Sequence, residues 1–261
     1  MIKLFVSDLD DTLVYNVKEV HAHDKRALQW LADQGTEICF SSGRFAHRIH
    51  EAVRQFGISY HTASLNGAYV TTSDGTVIHE RVFSGSAARD VYRYLHPQQL
   101  AEVVCAKAER YTRRKREVHK QFEEHIQGEV IELETLEEEF GKSIHPSKFF
   151  LYGEEREVQR LDEELRDVFA GQAEVVISGR QYVDLMPAGV SKGEALRVLM
   201  EHLGLKPGEV ACIGDSFNDV SMFAVTPHSF ALQHANQSVK ERAMHVVRSV
   251  EEAVMKLSLL A

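Results

Sequence analysis

Both ends of this chain alternate short apolar runs with stretches of helical period, and this limits the fold more than any other feature. IKLFVS (2–7) gathers Ile2, Leu4, Phe5 and Val6 with no regular polar alternation. A strand with one wet face alternates in and out, so this run reads as a strand covered on both sides. Ala27, Leu28, Leu31 and Ala32 then recur at helical spacing between Asp24 and Gln34, and Gly35 stops the helix. EICFS (37–41) is the next buried strand, followed by a helix over about 45–56 and a third strand near 59–64. AYVTT and TVIHERVF flank Ser73-Asp74-Gly75, a hairpin signal. The alternation resumes with a helix over 192–203, the strand EVACIG (209–214) and a helix starting near Asn218. This order predicts an α/β fold: a doubly wound, Rossmann-like parallel sheet with helices on both faces.

The middle of the chain has a different texture. RYTRRKR (110–116) and EEE (137–139) make it more charged; both read as solvated faces, and the basic run has a second reading, attraction of anionic substrates. KFFLYG (148–153) and EVVIS (174–178) are strand candidates, and Val158, Leu161, Leu165 and Val168 between them mark an amphipathic helix. These features predict an α+β domain over 84–186, inserted between the two parts (1–83 and 187–261) of the doubly wound domain. The chain has 261 residues, enough for two modest domains.

Its formal net charge of −9 argues against nucleic acid or an anionic membrane as the main partner. No apolar run approaches membrane-spanning length, and from the strand-like opening no signal peptide is expected. Cys39, Cys105 and Cys212 show no pairing or metal-ligand spacing, and Cys39 and Cys212 fall inside buried strands as small core hydrophobes. A cytoplasmic setting is therefore expected. Trp30 is expected in packing, and none of the 14 histidines stands at a recognised ligand spacing.

In a doubly wound sheet, ligands bind beyond the carboxyl ends of the strands. Asp8 and Asp10 follow the first strand, Ser42-Gly43-Arg44 the second, and Gly214-Asp215-Ser216-Phe217-Asn218-Asp219 the late strand. Lys192 opens a helix just after the central domain. Crowded carboxylates repel unless a cation joins them, and magnesium favours carboxylates together with phosphate oxygens. Lys192, the Ser42 hydroxyl and the Gly43 N–H would neutralise and hold a phosphate. Asp8 could attack phosphorus to give an acyl phosphate. Asp10 could then protonate the leaving oxygen and later deprotonate the attacking water. Arg44 has two readings, a phosphate or substrate contact and a structural ion pair. Thr12 reads as a turn or cap residue.

DLDDTL (8–13), SSGR (41–44), SKGEAL (191–196) and GDSFNDVSM (214–222) resemble, in order and spacing, the four motifs of the haloacid dehalogenase superfamily of phosphatases. More narrowly, the chain resembles the Cof-type hydrolases, whose large α+β cap lies between the second and third motifs. The resemblance implies a magnesium-dependent phosphatase acting on small phosphorylated metabolites. It implies Asp8 as nucleophile and metal ligand, and Asp10 as acid/base giving its backbone carbonyl to the metal. Asp215 would be a direct ligand, with Asp219 supporting it. Ser42, Gly43, Lys192 and Asn218 would hold the phosphate, and Asn66 would lie near the mouth of the site. The inserted domain would be a lid that selects substrate. Two positions depart from the family pattern: Asp11 replaces its usual Gly, and His234 stands where Asn is expected.

Two other functions share some of these features. A response-regulator-type switch also clusters acids, a hydroxyl and a Lys around a phosphorylated Asp, but lacks the cap and the second carboxylate at i+2. A phosphomutase or phosphotransferase of the same superfamily would keep the chemistry and change the acceptor, typically with a smaller helical cap.

Overall fold

The structure is a computed structural model that describes residues 1–15, 19–98, 100–126, 128–179 and 181–260. The chain forms two compact units, one of residues 1–80 with 191–261 and one of residues 81–190. Compared with the expected 84–186, the second unit gains residues at both ends. Phe83 is buried in its core, and Pro187 still pairs with Ala173 across its sheet.

Along the chain, the first unit begins with strand β1 (Leu4–Ser7), helix α1 (Ala22–Asp33), β2 (Glu37–Ser41), α2 (Ala46–Val53) and β3 (His61–Ser64), then a hairpin of β4 (Tyr69–Thr71) and β5 (Val77–Glu80). The second unit holds α3 (Gly85–Leu95), β6 (Ala101–Ala106), β7 (Glu109–Thr112), α4 (Glu117–Ile126), β8 (Ile131–Glu132) and α5 (Leu136–Glu139). It continues with β9 (Lys148–Tyr152), α6 (Glu155–Val168), β10 (Ala173–Gly179) and β11 (Tyr182–Pro187). The first unit resumes with α7 (Lys192–Leu203), β12 (Val210–Gly214), α8 (Val220–Phe223), β13 (His228–Leu232), α9 (Gln237–Lys240), β14 (His245–Val247) and α10 (Val250–Leu260).

The sheet of the first unit has the order β14-β13-β12-β1-β2-β3-β4-β5. It is parallel from β14 to β3, with the β4–β5 hairpin added antiparallel at one edge. Successive residues of β1 serve opposite faces. Phe5 packs with Leu28, Ile49 and Val254, whereas Leu4 and Val6 pack with Leu196, Leu199 and Phe223. Helices cover both faces, so the strand has no polar side, and the run in its sequence is continuous for that reason. Cys39 and Cys212 are buried in the second of these layers. Trp30 departs from expectation: it lies on the outer side of α1 and is 47% exposed.

The sheet of the second unit, β10-β11-β9-β6-β7-β8, is antiparallel except for β7 and β8. Val91 and Leu95 of α3 and Val158, Leu161 and Leu165 of α6 pack on Val104, Phe149 and Leu185. Val168 is 44% exposed, because the helix ends as its apolar stripe turns away. Arg116 also departs from its expected solvated face. It donates to the carbonyls of Gln98 and Leu100 and pairs with the buried Glu102 carboxylate. Among the described residues, no helix is long and apolar enough to cross a membrane.

Candidate active site

Asp8 comes directly after β1, and its N–H donates to the Ile213 carbonyl at 3.0 Å. The parallel ladder with β12 thus extends one residue beyond the strand and holds this backbone firmly. Lys192, the first residue of α7, is almost fully buried and donates to Asp8 Oδ1 at 2.5 Å and Asp219 Oδ1 at 2.6 Å. Asp219 Oδ2 accepts the N–H groups of Asp215 and Ser216 at 3.0 and 2.9 Å. Both Asp219 oxygens are therefore occupied in shaping the loop and holding Lys192.

Two glycines allow these close approaches. A Cβ on Gly214 would lie 2.3 Å from Asp219 Cγ, and one on Gly193 would lie 2.2 Å from the Ser221 carbonyl oxygen. Any larger residue at either point would push the acidic loop away from Lys192.

Asp215 accepts from Thr12 Oγ1 at 2.7 Å and from Ser216 Oγ at 3.0 Å. Thr12 is fully buried, and its hydroxyl orients this carboxylate, beyond the turn or cap role its sequence position suggested. Carboxylate oxygens of Asp8, Asp215 and Asp219 all lie within 4.8 Å of one another. Burial, followed by repulsion from Asp219, Asp215 and Asp10, pushes the Asp8 carboxyl well above its ordinary range, with Lys192 pulling the other way. Burial and Asp219 raise Asp215 as well, while the Thr12 and Ser216 hydrogen bonds lower it. Burial works against the Lys192 ammonium, but Asp219 and Asp8 outweigh it and keep the group charged far into alkali. Three carboxyl groups crowd around one ammonium here, and their mutual repulsion is relieved by a further cation. A hard divalent cation with oxygen ligands, such as magnesium, fits that donor set.

Asp10 lies outside this cluster. Its carboxylate, 54% exposed, takes a forked contact from Arg44: Nε donates to Oδ1 and Oδ2 at 3.1 and 3.0 Å, and Nη2 to Oδ1 at 2.5 Å. The buried Ser42 hydroxyl accepts the Arg44 N–H at 3.1 Å and donates to Asp10 Oδ2 at 3.4 Å. The ion-pair reading of Arg44 thus describes its arrangement here.

Gly43, Asn66 and Asn218 form a third group. Asn66 adopts a left-handed φ of 57° and donates its N–H to the Ser42 carbonyl at 3.0 Å. Its Oδ1 accepts from Asn218 Nδ2 at 3.1 Å and would lie 3.3 Å from a Cβ on Gly43. Asn218 Oδ1 is buried and has no hydrogen-bond partner among the described residues. At the departures from the family pattern, Asp11 has a left-handed φ of 58°, a conformation that Gly adopts freely and Asp tolerates. His234 Nε2 lies 3.9 Å from Asp215 Oδ2. Thr12 and Ser216 escaped the sequence reading because their importance depends on meeting Asp215, and a hydroxyl in a turn carries no such signal.

The family profile described as haloacid dehalogenase-like hydrolase matches residues 5–257. Phosphatase YwpJ from Bacillus subtilis is 25% identical over 96% of this chain and 96% of its own length. HMP-PP phosphatase from Klebsiella pneumoniae is 23% identical over 94% of this chain and 89% of its own. A solved haloacid dehalogenase-like hydrolase from B. subtilis superposes with a TM-score of 0.85 at 22% identity, covering 100% of both chains, and shares the fold.

Proposed function

The chain is a phosphatase of the haloacid dehalogenase-like hydrolase family, and we propose that it hydrolyses small phosphomonoesters, sugar phosphates among them, with magnesium and an aspartyl-phosphate intermediate on Asp8. The observation that carries this reading is the gathering of Asp8, Asp215 and Asp219 carboxylate oxygens within 4.8 Å of one another, with the buried Lys192 ammonium held between Asp8 and Asp219.

Lys192 holds Asp8 Oδ1, leaving Oδ2 for phosphorus. As the Oδ2–phosphorus bond forms, the bond from phosphorus to the leaving oxygen breaks, and Asp10 supplies that oxygen with a proton. Water then attacks phosphorus, Asp10 takes its proton, and the Asp8–phosphorus bond breaks to release inorganic phosphate. Magnesium held by Asp8, Asp215 and the Asp10 carbonyl would supply positive charge against the phosphoryl oxygens. Lys192 adds the second positive charge, and the Ser42 hydroxyl, the Gly43 N–H and Asn218 orient the phosphate. To reach the leaving oxygen, Asp10 must release Arg44, so this ion pair belongs to the waiting enzyme.

Every group in this mechanism lies in residues 1–80 and 191–261. We assign substrate choice to the second unit, residues 81–190, which contains the lid expected over 84–186, because the chemistry needs nothing from it. The HMP-PP phosphatase among the relatives gives no reason to prefer its own substrate for this chain at 23% identity.

Acid quenching during turnover of a phosphorus-32-labelled monoester tests the intermediate. Label should stay covalently on the protein, be released by hydroxylamine as an acyl phosphate, and map to Asp8. Multiple turnovers with no protein-bound label at any quench time would refute it.

Thr12→Val tests the support of Asp215. Losing the hydroxyl leaves one Asp215 oxygen without its donor, and the half-saturating magnesium concentration should rise about tenfold or more. The rate at saturating magnesium should change far less. An unchanged magnesium dependence would remove Thr12 from the site.

A further inference from the structure

A second cluster of ligand-type side chains lies at the start of α1, in His21-Ala22-His23-Asp24. The sequence reading gave these histidines no role. Asp24 is fully buried, and its two oxygens differ. Oδ1 accepts the Glu251 N–H at 2.8 Å and so caps the start of α10. Oδ2 is buried and has no hydrogen-bond partner among the described residues. It faces His23 Nε2 at 3.5 Å and His21 Nδ1 at 3.8 Å, both too long for hydrogen bonds. A buried carboxylate oxygen without a donor is costly and calls for a reason. Capping accounts for Oδ1 alone.

We propose that His21 Nδ1, His23 Nε2 and Asp24 Oδ2 form a second cation site, selective for a borderline divalent metal of the zinc class and separate from the catalytic carboxylates. Two imidazoles and one carboxylate suit zinc, whereas magnesium prefers oxygen alone. The spacing agrees: ligand atoms 2.0–2.1 Å from a tetrahedral ion stand about 3.4 Å apart. The two imidazole nitrogens, 3.8 and 3.5 Å from Oδ2 and within 4.8 Å of each other, belong to partly exposed rings that have room to close on an ion. The fourth position would face solvent and hold water.

His21 occupies the N-cap position of α1 yet makes no capping hydrogen bond, so its ring is not used by the helix. The ring is held by other means, stacked on Tyr15 with centroids 4.5 Å apart. The helix start repels a cation, and the Asp24 carboxylate offsets that effect. Burial pushes the Asp24 carboxyl above its ordinary range, with the Glu251 N–H and both imidazoles pulling it down, so a bound cation would relieve the carboxylate. Tyr15 also donates to the Thr12 carbonyl at 3.0 Å, which puts this cluster beside the loop that carries Asp8 and Asp10.

The test is calorimetric titration of the full-length protein with zinc chloride in excess magnesium, comparing wild type with His21→Ser/His23→Gln. Both substitutions are at partly exposed positions, and thermal unfolding of the double variant checks that it is folded. Wild type should bind one more zinc than the variant, and cobalt(II) in its place should give the visible absorption of a tetrahedral site only in wild type. In wild type, the ring signals of His21 and His23 should shift together with zinc in nitrogen-15 spectra. Equal zinc stoichiometry in the two proteins would overturn the proposal. So would histidine signals that move with pH but not with zinc, which would mark a simple imidazolium–carboxylate contact.

Discussion

Asp8→Asn should lower turnover of a phosphomonoester by at least about 10⁴-fold, because a neutral amide cannot form the acyl phosphate. The fold should persist. Asp8 is buried among like charges, and its carboxyl sits well above its ordinary range. A carboxyl with a raised folded-state pKa adds stability at low pH and loses it as the pH climbs through that raised value. At neutral pH the Asp8 charge is therefore a cost, apart from its bond to Lys192. An amide keeps an oxygen for that lysine and removes the repulsion from Asp215 and Asp219. Thermal unfolding at neutral pH should place the variant at or above wild type, while steady-state assays show it inactive. A folded variant with near wild-type turnover would remove Asp8 from the chemistry.

Exhaustive chelation should abolish activity and magnesium should restore it, whereas calcium should inhibit. Calcium takes more ligands at longer distances in looser geometry, which would spoil the in-line approach of Asp8 Oδ2. A stability readout separates metal binding from catalysis. Ligand at 100 times its Kd stabilises a folded protein by about 2.7 kcal/mol. Asp8 and Asp215 both have raised carboxyls, so protons compete with the metal for them as the pH falls. The rise in Tm on adding magnesium should thus be larger near neutrality than in the acid range where those carboxyls are protonated. Full activity after chelation, or a magnesium-induced Tm shift that grows toward acid, would contradict this account.

Some of this was legible because it is local. Leu4, Phe5 and Val6 announce a strand buried on both faces, since nothing in their order marks a wet side, and β1 lies in the middle of its sheet. Asp8, Ser42 and Asp215 were found because each follows an apolar strand, and the carboxyl ends of such strands lie on one edge of a parallel sheet. Helix surfaces were less legible at Trp30 and Val168. Helical period places Val168 on an apolar stripe and packing was expected of Trp30, but neither reading says where the neighbouring element ends, and both are left partly exposed. Arg116 sits in a run of basic residues, and it is drawn inward by the buried Glu102 carboxylate of β6 and the carbonyls of Gln98 and Leu100.

The sequence by itself determined which groups are present at the site and the alternation that carries them to one sheet edge. Tertiary structure decided who holds whom. Lys192 reaches Asp8 across 184 residues of chain, Thr12 reaches Asp215 across 203, and Asp24 reaches the Glu251 N–H across 227. Those meetings depend on β12 lying beside β1 and on α10 packing against α1. The Arg44–Asp10 fork and the unpartnered oxygen of Asp24 arise the same way. Residue period and polarity follow from short-range order, whereas a hydrogen-bond partner is chosen by crossover connections that no local pattern contains.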